Sequence, residues 1–329
     1  MTPADLRPRA EAVLRRTCGS RVSVQSLTPL SGGAASMTYA VAATRDGLEW
    51  PLVLQCASAE GATLSRAVQA KLIRLAAVHG IAVPEIVAVA APDDGLGDAL
   101  FAAWLDGEAL APKWLRAPEF GVARAALTGD CAEALARLHA IPLAAAADIE
   151  LPAASAAETC AAMFDLYRSF GVDSPVFDLA FAWLRERMPA TAPAHIVHGD
   201  FRSGNLLIGP NGLTAVLDWE LAHLGDRHED LAWICVNAWR FGGWRKPVGG
   251  FGEREPFYAA YETAGGAPVD RELARIFELW GTLRWGVMCL QMANAHLTGA
   301  VPSVERAAIG RRVSENEADI LHILKHGSV

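Results

Sequence analysis

The spacing of apolar residues changes near residue 105 and divides the chain into two parts. Before that point, strand-like stretches alternate with turn residues and with one helical stretch at 64–78. The strand-like stretches are 21–28, 37–43, 50–56, 86–89 and 99–105. Beyond it, helical spacing dominates, up to a last helix at 302–325. We therefore predict an α+β fold, with a small antiparallel β lobe at 1–105 and a larger, mainly helical lobe at 106–329.

One stretch interrupts the helical part with strands. Short apolar runs at 205–208 and 213–218 are joined by a turn that ends in Asn211-Gly212, which is a strong signal for a β-hairpin. Polar side chains gather at both ends of this hairpin. They are His198, Asp200, Arg202 and Asn205 before it, and Asp218 and Glu220 after it.

Three of these polar residues suggest a metal site. Folding of the hairpin brings Asp200, Asn205 and Asp218 to one loop-lined edge. Mg²⁺ prefers oxygen ligands and commonly takes one or two carboxylates together with substrate phosphates. The three side chains can supply such a site, and phosphoryl transfer uses parts of this kind.

Composition excludes several classes of protein. The chain has 329 residues, of which 52% are hydrophobic and 20% charged, so a disordered or fibrous protein is not expected. The formal net charge of -8 provides no basic field, so we expect no nucleic-acid partner. No apolar stretch is long enough to span a membrane, and the N-terminus lacks the pattern of a signal peptide. The six cysteines are far apart and predict reduced thiols in a cytoplasmic protein.

The motifs around the hairpin resemble a known family. The segments 198–205 (HGDFRSGN) and 217–220 (LDWE) are similar to those of the phosphotransferases that include aminoglycoside and choline kinases. Segment 225–232 (GDRHEDLA) and Leu138-His139 are similar to further parts of that family. The Phe-Arg pair after Asp200 resembles the branch that is fused to, or encoded beside, acyl-CoA dehydrogenases.

The resemblance implies a protein-kinase-like two-lobe fold, with ATP and Mg²⁺ as cofactors. It implies that Asp200 is the catalytic base, and we group Arg202 with it as a catalytic residue. Asn205 and Asp218 are implied as the metal ligands, whereas Asp226 is expected to be structural.

Two segments of the small lobe resemble nucleotide-binding parts of the family. Segment 30–39 resembles the loop that covers the nucleotide, although two glycines in a hairpin also suit an ordinary turn. From this loop we expect phosphate contacts by Ser31, Gly32, Gly33 and Ser36. Segment 101–105 takes the place of the link between lobes. Its Ala103 and Leu105 are expected at the purine edge.

The third strand departs from the family pattern. Gln55 stands where relatives carry the Lys or Arg that binds the phosphates, and an ungapped count places Gln69 at the position of its partner Glu. Two amides can exchange hydrogen bonds near the nucleotide without leaving a buried charge unpaired. Alternatively, the register differs, and Arg66 or Lys71 reaches the phosphates from the helix.

The acceptor pocket is expected among the helices that follow Asp218. That region is rich in tryptophan, which we interpret first as core packing. Arg240, Arg245 and Lys246 would place positive charge near the pocket mouth, unless they are ordinary surface residues. This charge favours a neutral or anionic hydroxylated small molecule as substrate, such as a hydroxyacyl thioester of coenzyme A.

The leading hypothesis is an ATP- and Mg²⁺-dependent kinase that phosphorylates a hydroxyl group of a small molecule. Its main rival is a pseudokinase that binds a nucleotide or metabolite without efficient catalysis, as Gln55 and Gln69 would allow. A metal hydrolase is a lesser alternative. It would use His198, Asp200, His223 and His228.

Overall fold

The first hundred residues form one antiparallel sheet. In the computed structural model, which describes residues 2–30, 36–57 and 64–327, six strands make up this sheet. They are β1 (Val22–Pro29), β2 (Ser36–Arg45), β3 (Leu48–Glu49), β4 (Leu52–Ala57), β5 (Ile86–Val89) and β6 (Ala99–Ala103). The order is β1-β2-β4-β6-β5, and β3 pairs with the end of β2. The predicted strands and their antiparallel pairing are confirmed.

A helix covers each face of this sheet. Helix α1 (Pro3–Cys18) packs on β1 and β5, and helix α2 (Arg66–Val78) packs on β5 and β6. Helix α1 was not predicted, although Thr2 and Asp5 form a capping box at its start. On β4, Leu52 and Leu54 point to the core beneath α1. Because side chains alternate along a strand, Gln55 points to the opposite face.

The second part of the chain is mainly helical. Its helices are α3 (Ala111–Trp114), α4 (Gly121–His139), α5 (Ala156–Ser169), α6 (Pro175–Arg185), α7 (His228–Trp233), α8 (Arg254–Thr263), α9 (Arg271–Leu297), α10 (Val304–Gly310) and α11 (Val313–His326). The prediction of one helix at 302–325 is wrong. The N–H groups of Arg311 and Arg312 bond three residues back, to Ala308 and Ile309, and this tightened turn ends α10 before α11 begins.

Two small ribbons interrupt the helical lobe. Strands β8 (Leu206–Ile208) and β9 (Leu213–Val216) form the predicted hairpin. Strand β7 (His195–Val197) pairs with β10 (His223–Gly225). Neither strand β10 nor this pairing was predicted. Together the ribbons bring the chain before β8 next to the chain after β9.

The largest apolar core joins the two lobes. It runs from the inner face of α2 through the sheet to α4 and the hairpin. Its members include Leu72 and Ile73 of α2, Leu100 of β6, Leu127 and Leu135 of α4, and Leu206 and Ile208 of β8. This core holds the hairpin at the junction of the lobes. The fold is the predicted kinase-like α+β fold with two lobes.

All six cysteines are unpaired, and five of them are buried. Within the described ranges, no helix has the length and apolar character that crossing a membrane requires.

Candidate active site

The segment that carries Asp200 is held by hydrogen bonds to Asp230 of α7. The Asp230 carboxylate accepts the backbone N–H of His198 at 2.7 Å and that of Gly199 at 2.9 Å. His139 of α4 lies 3.2 Å from the same carboxylate. Burial alone would raise the pKa of Asp230, but the hydrogen bonds from His139 and His198 keep it below its usual range. Asp230 therefore fixes the backbone from which Asp200 projects.

The role of Asp230 was not predicted from the sequence. The residue stands in the motif at 225–232, where only Asp226 was singled out. Asp226 instead pairs with His228, with 2.7 Å between its carboxylate and Nδ1 of the imidazole. An Asp on an apolar helix face was the available signal, because such a carboxylate must find buried donors.

His198 links this segment to the end of the hairpin. Its Nδ1 accepts the backbone N–H of Asp200 at 3.2 Å, and its Nε2 lies 3.0 Å from the carbonyl oxygen of Leu217. The imidazole is therefore neutral with its proton on Nε2. Burial lowers the pKa of His198, which agrees with the neutral form. The ring also packs against Trp219, with 4.7 Å between ring centroids.

The Asp200 carboxylate is held by three donors. Nε of Arg202 lies 2.9 Å and 3.1 Å from its two oxygens. Nδ2 of Asn205 donates at 2.6 Å to Oδ2, and Nε1 of Trp233 donates at 2.7 Å to Oδ1. Interpreting the tryptophans as core packing was therefore incomplete. Trp233 is buried, but its indole N–H also orients the predicted catalytic carboxylate.

Asn205 and Asp218 meet at the open ends of the hairpin. The N–H of Leu217 donates to the carbonyl oxygen of Asn205 at 2.8 Å, which places Asp218 beside it. Asp218 has a left-handed backbone with φ of 63°, a strained conformation for a residue with a side chain. Its side chain is exposed to solvent, but the surrounding protein partly desolvates the carboxylate. This desolvation, with the charges of Glu220 and Asp200, raises the pKa of Asp218 to about 7.

The oxygen atoms of Asn205 and Asp218 suit Mg²⁺, which also binds water and substrate phosphates. They are too few for a metal that is held by protein side chains alone. Within the described part of the chain, no group of three or more His, Cys, Asp or Glu residues is placed to hold a metal. Mg²⁺ does not need such a group, since it retains waters and binds substrate phosphates. Asn205 uses its amide nitrogen on Asp200, which leaves the amide oxygen for a cation. Nearby, Oε2 of Glu220 is buried without a partner among the described residues.

The structure does not bring together the residues of the alternative metal hydrolase site. His223 lies 3.1 Å from Glu229, and this hydrogen bond raises the pKa of His223 although burial opposes the rise. Nε2 of His228 accepts the N–H of Asp270 at 3.1 Å. Neither imidazole is available beside Asp200, so they serve local hydrogen bonding.

The small lobe contributes the opposite wall of the site. Ser31, Gly32 and Gly33 lie outside the described residues, and Ser36 begins β2. Ala103 ends β6, and its N–H donates to the carbonyl oxygen of Glu85 at 2.8 Å. The N–H of Leu105 has no acceptor among the described residues.

The expected exchange of hydrogen bonds between Gln55 and Gln69 is not found. Gln69 is buried, its Nε2 donates to the carbonyl oxygen of Leu64 at 2.7 Å, and its Oε1 accepts from Arg66 at 2.7 Å. Gln55 is half-buried on β4 and pairs through the strand ladder with Thr38 and Leu100. A closer partner, Arg66, has taken up the amide oxygen of Gln69.

The other predicted cations also differ in placement. Arg240 is fully buried, where it donates to the carbonyl oxygen of Cys235 at 2.6 Å and pairs with Glu278, so placing it at the pocket mouth was wrong. Arg245 is exposed over Trp244, and Lys246 pairs with Glu253. The sequence gives no hint of the Arg240–Glu278 pair, because its members are far apart in the chain.

Instead, two unpredicted arginine–tryptophan pairs lie beside Asp200. The guanidinium of Arg202 stacks 4.7 Å from the ring of Trp239. That of Arg284, from α9, lies 4.8 Å from the ring of Trp233 and donates to the carbonyl oxygen of Gly199 at 3.3 Å. Trp239 in turn contacts Trp285, with 4.7 Å between ring centroids. Positive charge and flat apolar surface thus border the carboxylate.

Comparison with known proteins gives a family match over most of the chain. The family model described as "Phosphotransferase enzyme family" matches residues 26–275. Acyl-CoA dehydrogenase family member 10 of Mus musculus is 40% identical over 73 residues, which are 21% of this chain and 7% of the relative. The match thus spans a small fraction of that longer protein.

Two solved structures share the fold. A Ralstonia eutropha JMP134 protein assigned as an aminoglycoside phosphotransferase has a TM-score of 0.70 at 19% identity, covering 94% of this chain and 95% of its own. The phosphotransferase APH(2")-IIIa, solved with GDP and kanamycin, has a TM-score of 0.68 at 16% identity and covers 93% and 97%.

Proposed function

This chain belongs to the phosphotransferase enzyme family, and from that premise we propose that it transfers the terminal phosphoryl group of ATP, with Mg²⁺, to a hydroxyl group of a small molecule. The observation that carries the proposal is the 2.6 Å bond between Asp200 and Asn205 at the edge where Asp218 also lies. An acceptor-orienting carboxylate and two oxygen ligands are the parts that phosphoryl transfer requires.

Asp200 would orient the acceptor. The hydroxyl oxygen forms a bond to the terminal phosphorus, the bond from that phosphorus to ADP breaks, and the hydroxyl proton passes to Asp200. Arg202, Asn205 and Trp233 hold the carboxylate in place before the acceptor arrives. Such preorganisation contributes through positioning, because the transition state needs little covalent chemistry from the protein.

Asn205 and Asp218 would hold Mg²⁺ between this wall and the phosphates. Bound there, the ion would neutralise the charge that develops on the phosphate oxygens. The raised pKa of Asp218 supports this role, since a cation would relieve the repulsion from Glu220 and Asp200. On the opposite wall, the N–H of Leu105, which has no acceptor among the described residues, suits a purine edge. Ser31, Gly32, Gly33 and Ser36 remain our candidates for phosphate contact.

The acceptor side favours a neutral or anionic substrate. Arg202 and Arg284 lie on tryptophan faces directly beside the Asp200 segment. Their charges repel a polycation such as an aminoglycoside and attract a carboxylate or phosphate. A hydroxyacyl thioester of coenzyme A combines an apolar chain with anionic phosphates, and we propose this class of acceptor.

The test is Mg²⁺-dependent phosphate transfer from ATP to a panel of acceptors. The panel contains hydroxyacyl-CoA esters, free hydroxy acids, choline and kanamycin. We expect transfer to the thioesters, and a loss of about a hundredfold to ten-thousandfold in Asp200→Asn. The control is Asp165→Asn, which changes an exposed Asp on α5.

Two results would contradict this proposal in different ways. Nucleotide binding without transfer to any acceptor would favour the pseudokinase. Transfer to kanamycin in preference to the anionic acceptors would overturn the acceptor class but leave phosphoryl transfer intact.

A further inference from the structure

Arg66 occupies an unusual place at the start of α2. Its side chain is almost fully buried, with 1% of the residue exposed. Its backbone N–H donates to both oxygens of Asp98, at 2.9 Å and 3.0 Å, and Ser65 caps the helix beside it. The Asp98 side chain precedes β6, so the helix start is fixed to the sheet.

The Arg66 guanidinium has no carboxylate partner among the described residues. One nitrogen, Nη1, donates to Oε1 of Gln69 at 2.7 Å. The other two, Nε and Nη2, are buried and have no hydrogen-bond partner in the described part of the chain. Burying a charge without a counter-ion is costly, and proteins rarely do so unless a ligand supplies the opposite charge.

The surroundings of Arg66 point to the interlobe cleft. Arg66 is one of the buried residues of α2, together with Gln69, Leu72 and Ile73. Leu72 and Ile73 belong to the apolar core that joins the lobes and reaches the hairpin. Arg66 therefore lies on the face of α2 that is turned to the junction of the lobes. Lys71, the other cation considered, is exposed and donates to the carbonyl oxygen of Asp148 at 2.9 Å.

We propose that Arg66 binds the nucleotide phosphates in place of the cation missing at Gln55, and that Gln69 orients it. The inference rests on the proposed function and names the residue that grips its phosphates. It also explains why glutamines stand at positions 55 and 69. With the cation on α2, a charge at position 55 would repel it, and a Glu at position 69 would neutralise it. Gln69 holds one nitrogen of the guanidinium and leaves its charge and its other nitrogens for the phosphates.

The experiment compares the affinities of ADP and adenosine, each with Mg²⁺, by isothermal titration calorimetry. We use the native chain, Arg66→Met and the control Lys71→Met, which removes an exposed cation from the same helix. In Arg66→Met we expect ADP to bind about tenfold to hundredfold more weakly, with adenosine binding changed less than threefold. Adding Gln55→Lys to Arg66→Met should recover part of the ADP affinity.

A purely structural Arg66 predicts something else. In that case Arg66→Met would weaken ADP and adenosine equally, or leave both unchanged, and the inference would be overturned. If the native chain itself bound neither ADP nor ATP, the proposed function would fail first.

A second measurement keeps the side chain and so avoids a folding defect. The Nε–H resonance of Arg66, assigned with Arg66→Lys, should shift when ADP and Mg²⁺ are added but not with adenosine. An identical response to ADP and adenosine would contradict the inference.

Discussion

The two walls of the cleft hold their charged groups in different ways. On the helical side, the Asp200 carboxylate has three donors, and the backbone behind it is fixed by Asp230. On the sheet side, the Arg66 guanidinium has one partner among the described residues, the neutral amide of Gln69, and two of its buried nitrogens have none there. The three donors to Asp200 thus come from protein side chains, whereas two nitrogens of Arg66 have no partner in the described part of the chain and suit an anion.

This difference reflects what each wall must do. A group that orients a reacting atom has to be placed precisely before the substrate arrives, so its own hydrogen bonds are satisfied by protein. A group that binds phosphate needs only its charge and some reach, so another element of the fold can supply it. Sequence spacing is therefore a firm guide to the first wall and a weaker one to the second.

The largest expected effect lies behind the Asp200 segment. We expect Asp230→Asn to destabilise the protein by about 3–5 kcal/mol, because it removes the charge that accepts two buried backbone N–H groups and faces His139. The matched change on the other wall is Asp98→Asn, which affects the exposed carboxylate at the start of α2 and should cost about 0.5–2 kcal/mol. Urea unfolding measures both.

Similar losses in the two variants would break the comparison. Equal values would mean that the segment at Asp200 is held no more firmly than the start of α2. In that case contacts other than those of Asp230 would have to hold Asp200 in place.

A smaller effect should separate orientation from binding on the helical wall. Trp233→Phe keeps the aromatic packing but removes the indole N–H that donates to Asp200 at 2.7 Å. A hydrogen bond to a charged group contributes about 1.5–3 kcal/mol, so we expect kcat to fall about tenfold to hundredfold. The affinity for ADP should stay within about twofold of native. The control is Trp244→Phe, at an exposed ring.

Steady-state kinetics with saturating ATP tests this prediction. If Trp233→Phe weakened ADP binding as strongly as it lowered kcat, the division of labour between the walls would be wrong.

Much of the helical wall could be predicted because its parts are close in sequence. Asp200, Asn205 and Asp218 lie on one loop and one hairpin, and an Asn-Gly turn fixes how that hairpin closes. Their family motif has the same local spacing. The strands of the small lobe and the division into two lobes followed from periodicity for the same reason, since alternation along a strand and spacing along a helix are local properties.

Most of the contacts that were missed join distant segments. Asp230 reaches the Asp200 segment from 30 residues away, and Arg240 pairs with Glu278 of α9. Whether Trp233 only fills space or also donates a hydrogen bond depends on what faces its N–H, which no local pattern encodes. Gln69 is the exception, because the partner that was missed, Arg66, lies only three residues before it on α2.

The smallest effect concerns the neutral imidazole that joins the Asp200 segment to the hairpin. Burial lowers the pKa of His198 in the folded chain from the usual 6.5, so below pH 6.5 the unfolded chain takes up a proton that the folded chain refuses. The contribution of His198 to stability is therefore present above pH 6.5 and lost as the pH falls. His198→Gln removes this proton uptake and keeps groups that can donate and accept. The stability difference between native and His198→Gln should then shrink by about 1 kcal/mol between pH 7.5 and 5.5.

Urea unfolding at several pH values measures that difference, and taking it between two chains cancels the titration of Asp218 and Glu220. The matched control, His322→Gln on the exposed side of α11, should give a profile parallel to the native one. A difference that stayed constant or grew on acidification would mean that His198 is charged in the folded chain. The imidazole could then no longer accept the N–H of Asp200, and the helical wall would be less complete before ligand binding than its hydrogen bonds indicate.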